Sequence, residues 1–256
     1  MKKSFIIVAV LLIIACLCFA LYFTYAPDED APAPDYSKMV HISEMKQNKE
    51  QAPEKSDGQT PYVSPIDFEA LWKRNKDIIA WVDIPNTYIS YPVVQREDND
   101  AYYLNHNSDG KRSAIGAICS ESTYNSKDFS DLITILYGHH IRGTTMFGKL
   151  QNLYSEKNAM DKYGLICVYL PDKEIDYEVF AAVPYSSAHI LHTYGANDLH
   201  NKRLFQYQIS NTHSLDGTIV KERFPSPDEH ILILSTCLRG NRMRRFIVLA
   251  RQISNQ

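Results

Sequence analysis

Positive charge is what this sequence has least to spare. Its 256 residues carry 27 Lys and Arg against 30 Asp and Glu, and the first 60 hold 6 of the basic and 8 of the acidic ones. The rest is nearly neutral, with 21 basic and 22 acidic residues, which excludes a dedicated nucleic-acid binder presenting a basic face to phosphates. Glycine is scarce as well, 10 residues, and none falls in a phosphate-cradling pattern. HExxH and paired CxxC motifs are missing. His189, His192 and His200 offer only loosely spaced nitrogens, so neither metal nor cofactor is expected. There is no internal repeat, and no regular βαβ alternation that would build a doubly wound sheet. With 45% hydrophobic and 22% charged residues, wholesale disorder is also excluded.

The first feature present is an unbroken apolar run from Phe5 to Phe23, preceded by Lys2 and Lys3 and followed by Asp28, Glu29 and Asp30. As a helix it would be roughly 28 Å long, close to a bilayer's hydrocarbon core and longer than a signal-peptide core. Bulky Tyr22, Phe23 and Tyr25 offer no small-x-small cleavage site. Residues 1–26 are therefore expected to form an N-terminal transmembrane signal anchor, with the amino terminus cytoplasmic and the body outside. Ile13-Ile14-Ala15-Cys16 resembles a lipoprotein box, but the apolar run continues well past Cys16. Residues 27–60, rich in Pro and charge with a thin scatter of apolar residues such as Val40 and Ile42, read as a flexible tether spanning ~30 Å.

Residues 61–256 read as one β-rich domain. Phe68, Leu71 and Trp72 give a short amphipathic helix opening at Asp67. Strand-like runs follow at Ile79–Ile84, Tyr88–Val94, Ala114–Cys119, Leu132–Tyr137, Leu165–Tyr169, Tyr177–Val183, His230–Thr236 and Phe246–Ala250. Helices interrupt them at Met146–Tyr154 and from Leu199 to about Ser210. Strands joined by short connections predict a closed barrel or a sandwich.

Three cysteines fall in this body, so at least one thiol is left unpaired within the chain. Cys119 and Cys167 lie within apolar strands, as buried inert thiols do. Cys237 instead ends an apolar strand and opens a polar stretch with Arg239, Arg242, Arg244 and Arg245, where nearby cations favour the thiolate. His139 and His140 follow Gly138 at the end of another apolar strand. Cysteine, histidine and arginine on strand ends supply a nucleophile, a proton carrier and a group for a developing oxyanion. A papain-like peptidase normally places Cys before His, whereas His139 precedes Cys237. A noncatalytic tethered binding domain would not need all three groups. Arg244 and Arg245 face opposite sides of a strand, and spacing alone does not choose between them.

The chain resembles the sortases, and among them class B. The carrying residues are Leu136-Tyr137-Gly138-His139, Leu234-Ser235-Thr236-Cys237 and Arg245-Phe246-Ile247-Val248. Asn75 to Ile84, Ile89 to Gln95, Asp98-Asn99-Asp100 with Tyr102-Tyr103-Leu104, and Met146 to Leu150 are similar too, so that the likeness spans residues 66 to 252. His140 stands where asparagine is common in class B, and Leu238 where an acidic residue is common.

The resemblance implies a mainly β fold: an eight-stranded sortase-type barrel with a few peripheral helices, preceded by the transmembrane helix. It implies a cysteine transpeptidase on the surface of a Gram-positive cell, cutting an LPXTG or NPXTN-like signal after threonine. The substrates would be surface proteins bearing a C-terminal sorting signal, and the acceptor an amine of a peptidoglycan precursor or a pilin. Cys237 would be the nucleophile, His139 the proton carrier and Arg245 the oxyanion or backbone ligand. Ser235, Tyr137 and the Asn99–Leu104 segment would line the substrate groove.

The apolar run predicts that protease added to wall-stripped cells removes the body and leaves a short, membrane-protected amino-terminal fragment. Recovery of a lipid-bearing protein that begins at Cys16 would overturn the anchor.

Overall fold

The computed structural model describes residues 33–43, 62–140, 146–212 and 217–255. Among these, nine strands form one sheet: β1 Ile78–Asp83, β2 Ser90–Val94, β3 Ile118–Cys119, β4 Ile133–Tyr137, β5 Leu165–Tyr169, β6 Glu174–Tyr185, β7 Thr218–Ile219, β8 Ile231–Leu238 and β9 Asn241–Asn255. Eight of them run in the order β5-β1-β2-β3-β4-β8-β9-β6 and close into a barrel through β5–β6 pairing. The two-residue β7 adds to the flank of β6. The helices are α1 Phe68–Arg74, α2 Leu150–Tyr154, α3 Ala159–Lys162, α4 Ile190–Tyr194 and α5 Leu199–Ser210. This is the mainly β, eight-stranded barrel with few helices that the resemblance implies, and it settles the barrel-or-sandwich choice that the strand pattern leaves open. Among the described residues no helix is long and apolar enough to cross a membrane, and the run at 5–23 lies outside them.

The uninterrupted apolar character of Ile231-Leu232-Ile233-Leu234 follows from burial on both faces. Leu232 and Leu234 pack inside the barrel with Phe246, Val248 and Ala250. Ile231 and Ile233 point outward, where Ile247 and Leu249 join them beneath Ile190 and Leu191 of α4 and Phe205 and Ile209 of α5. Lys202 of α5 is fully buried, its pKa pushed down to about 8 by burial, and its Nζ donates to the Glu229 carbonyl just ahead of β8. A third cluster covers the opposite flank: Phe68 and Leu71 of α1 lie over Ile78, Trp81, Val94, Cys119 and Cys167. Asp67 caps α1 by accepting from the Ala70 amide at 2.9 Å.

Three sequence expectations change in detail. Residues 33–43, read as part of the tether, instead lie against the body. Tyr36 and Ile42 are buried, Val40 bridges to Ile66, and Arg74 donates to the Asp35 carbonyl. Composition misses this because only two or three side chains make the contact. The helix expected over Met146–Tyr154 is a turn up to Lys149, with helix only from Leu150; Met146 has a positive φ of 53°. The strand expected over Ala114–Cys119 shrinks to Ile118–Cys119 because the chain reaches it through Gly116 at φ +67°.

The crossover from β2 to its parallel neighbour β3 is held by Tyr103. This ring is buried, its hydroxyl donates to Asp77 Oδ2 at 2.7 Å and accepts from Asn75 Nδ2 at 2.7 Å, and its carbonyl accepts from the Ala117 amide. The Asn75-Lys76-Asp77 segment thus braces the loop between β2 and β3. Tyr103→Phe removes one bond to a carboxylate and one from an amide. It should lower unfolding stability by about 1–3 kcal/mol, read from urea denaturation at unchanged m-value.

Candidate active site

Two strands of the barrel run parallel side by side, β4 and β8, with Tyr137 registered opposite Ser235. Parallel strands leave the sheet at the same rim, so the residues two steps further on, His139 and Cys237, emerge together. The ladder continues through the Gly138 amide, which donates to the Ser235 carbonyl at 3.0 Å. Glycine is required at 138, since a Cβ there would stand 2.5 Å from the Phe147 ring and 2.6 Å from Ile118.

The third member comes from the antiparallel neighbour. In the β8–β9 hairpin Cys237 is registered directly opposite Arg245, and Arg245 Nη1 lies 3.6 Å from Cys237 Sγ. Arg244 is exposed, as strand alternation requires. The polar loop expected after Cys237 is instead a hairpin: β8 continues to Leu238, the turn passes through Gly240 at φ +77°, and the register slips between Cys237 and Leu238. Such a bulge re-aims side chains at a barrel rim. Arg239 turns away from the thiol, its amide donating to Gln151 Oε1 and its guanidinium to Asn152. Of the three arginines whose side chains are described, only Arg245 faces Cys237.

His139 is oriented from the other side. Its Nε2 lies 2.8 Å from the Leu104 carbonyl, which can only accept, so Nε2 carries the proton and Nδ1 the lone pair of the neutral ring. Gly116 closes this contact: a Cβ there would come within 2.7 Å of His139 Cδ2 and 2.7 Å of the Tyr103 carbonyl. His140 is half-buried, its Nδ1 has no hydrogen-bond partner among the described residues, and its pKa is lowered by burial and then by Arg239.

Beside this rim opens a cavity of about 300 Å³. Ser235, Tyr137 and Leu104 line it, as does Arg245. Asn99, expected among them, does not: it is exposed and turns inward on its own loop, accepting from the amide of Ala101. Its neighbours Asp100 and Ala101 take the wall. The cavity also receives Cys119, Glu121, Tyr185, His189 and Ile190, none of which the sequence places in a groove. Their separation along the chain hides them, and a lone Glu or His on a loop carries no local signature. Cys119 and Cys167 are almost wholly buried, and burial, then the charge of Glu121, pushes the Cys119 thiol up to about 12.

No protein-family model matches the chain. It is 28% identical to Sortase B of Staphylococcus aureus (strain NCTC 8325 / PS 47) over 257 residues, covering 99% of this chain and 98% of that one. A crystal structure of Staphylococcus aureus Sortase B superposes with a TM-score of 0.66 at 25% identity, over 86% of this chain and 97% of that one. A Staphylococcus aureus sortase B–substrate complex superposes with a TM-score of 0.64 at 25% identity, over 82% and 91% respectively.

The register separates the two arginines by experiment. Lysine keeps the charge of arginine but loses its planar fork of donors. Arg245→Lys should cut kcat/KM roughly a hundredfold or more, whereas Arg244→Lys should stay within a few-fold of wild type. Circular dichroism checks that both variants are folded. The reverse ranking would mean that the β8–β9 register is wrong.

Proposed function

Since the chain is a class B sortase and thus a cysteine transpeptidase, we propose that it cuts a sorting signal of LPXTG or NPXTN type after its threonine and passes the severed protein to an amine. The observation that carries this reading is the ladder pair Cys237–Arg245, with the guanidinium 3.6 Å from the sulfur, on a rim shared with the strand leading to His139.

In this reaction the Cys237 thiolate adds to the threonine carbonyl, and the nearby Arg245 cation favours both the thiolate and the oxyanion that forms. The tetrahedral adduct collapses as the C–N bond breaks. The departing amine takes a proton from the His139 imidazolium, which leaves a thioester on Cys237 and a neutral ring. An incoming amine then adds to the thioester and gives its proton back to His139. The C–S bond breaks, the new amide leaves and the thiolate returns. The cavity lined by Ser235, Tyr137 and Leu104 would hold the residues before the threonine. As acceptor we propose an amine of a peptidoglycan precursor or of a pilin. Residues 1–26 would anchor the enzyme as a single-pass protein, with the catalytic domain on the outer face of the cell membrane.

With a fluorogenic sorting peptide, the protein should gain the mass of the peptide up to threonine, on Cys237, and a nucleophilic amine should discharge it. Cys237→Ala should lose turnover by roughly a thousandfold or more while remaining folded. A thiol alkylating agent should label Cys237 and leave buried Cys119 and Cys167 untouched. Normal turnover by Cys237→Ala would sink the mechanism.

A further inference from the structure

The hairpin that ends at the active-site rim carries an excess of positive charge. From Ile231 to Asn255 it holds five arginines and neither Asp nor Glu, and three of the five crowd into residues 239–244. At this tip Arg239 and Arg244 are exposed, and Met243 is 76% exposed. Arg239 reaches across to Asn152 of α2, and just ahead of that helix Lys149 Nζ stands 5.4 Å from the centre of the Tyr88 ring. Among the described residues Arg239, Arg244 and Lys149 make no ion pair. Glu156, just past α2, is already paired with Lys162 at 3.5 Å. The amino-terminal segment brings the chain to the same rim. Because β2 runs parallel to β3, and β3 antiparallel to β4, the first residues of β2 stand at the end where β4 releases His139. Ala33 and Pro34 share a cavity of about 250 Å³ with Tyr91 and Pro92 from that end of β2, and with Met146. The Met146 amide donates to the Tyr91 hydroxyl at 3.2 Å.

We infer that the tip of the β8–β9 hairpin docks on a membrane surface of anionic phospholipid, with Arg239 and Arg244 on the phosphates and Met243 entering the headgroup layer. The inference rests on the anchor reading above and says how the anchored domain is turned: the rim holding Cys237 faces the bilayer. Residues 27–32 are all that separates Ala33 from the span expected at 1–26. Even fully extended, the seven steps from residue 26 to residue 33 reach about 25 Å. So short a leash, attached at this rim, keeps the rim near the lipid and the far end of the barrel away from it. Within that distance charge decides the contact. Arginines are drawn to an anionic surface over about a Debye length of ~8 Å, and an exposed apolar side chain among cations suits the boundary between headgroups and acyl chains.

The test uses the full chain in vesicles of phosphatidylcholine, alone or with about a third phosphatidylglycerol, both with brominated acyl chains that quench a nearby indole. Met243→Trp carries the probe, and the parent chain, with Trp72 and Trp81 set in α1 and β1, supplies the background. The added emission should be quenched about threefold more in the anionic vesicles than in the neutral ones, and high salt should erase the difference. Changing Arg239→Gln together with Arg244→Gln should erase it too, with circular dichroism confirming the fold. Equal quenching in the two lipids overturns the inference, as does a difference that survives loss of both arginines. Soluble polyphosphate that strips the tip from the vesicles, at an ionic strength where simple salt does not, overturns it in favour of a soluble polyanion. Flotation keeps the two readings apart. A chain that floats with neutral vesicles yet shows no lipid-dependent quenching sinks the inference and spares the anchor. A chain that floats with neither vesicle sinks the anchor, and the inference with it.

Discussion

The site depends on one pairing, the parallel ladder between β4 and β8. Had these strands been antiparallel, the segments after Tyr137 and Ser235 would leave opposite ends of the barrel. The parallel register brings Gly138-His139 and Thr236-Cys237 to one rim, and the antiparallel β8–β9 hairpin then sets Arg245 across from the cysteine. Nearly everything else supports the stiffness of this junction. Leu232 and Leu234 lock it from within, while Ile231 and Ile233 lock it from outside under two helices. The rim loops are free to carry polar chemistry because the strands beneath them are buried on both sides.

His139 is placed by backbone rather than by another side chain. His139 is turned by a carbonyl, that of Leu104, and by the near contact of Gly116, where no side chain would fit. The loop that supplies both is in turn fixed by the buried Tyr103 and its bonds to Asn75 and Asp77. Backbone groups suit this task, since they cost no rotamer entropy to hold still. Glu121 and His189 follow a related logic on the cavity wall, the imidazole being committed at both nitrogens.

How far the sequence carries can be told residue by residue. Most barrel strands are legible because they are runs of β-branched or aromatic residues, and runs buried on both faces read strongly; the two-residue β3 is the weakest of them. Cys237 and His139 are legible because each follows such a run. The choice between Arg244 and Arg245 is not, since it turns on register, which only pairing with Cys237 reveals. The hairpin after Cys237 is hidden by its polarity: Arg239 to Arg244 reads as loop, although the strand resumes at Asn241. Asn99 fails as a wall residue because the short helical turn at 102–104 aims its neighbours inward instead. Glu121 and His189, far apart in the chain, become visible only once β3 and α4 meet.

The packing of residues 33–43 on the body has a mechanical side. Here the chain adds an isolated bridge, Val40 to Ile66, with the His41 amide donating to the Pro65 carbonyl and the Asp67 amide to that of Met39. Ahead of it the Arg74 guanidinium reaches the Asp35 carbonyl and stacks 4.3 Å over the Tyr36 ring, while the Tyr36 hydroxyl reaches Ser108 and Asp109. Tension on the chain ahead of residue 33 therefore meets this clasp before it meets β1. Several bonds share the load there, and the clasp can yield without opening the barrel that holds Cys237.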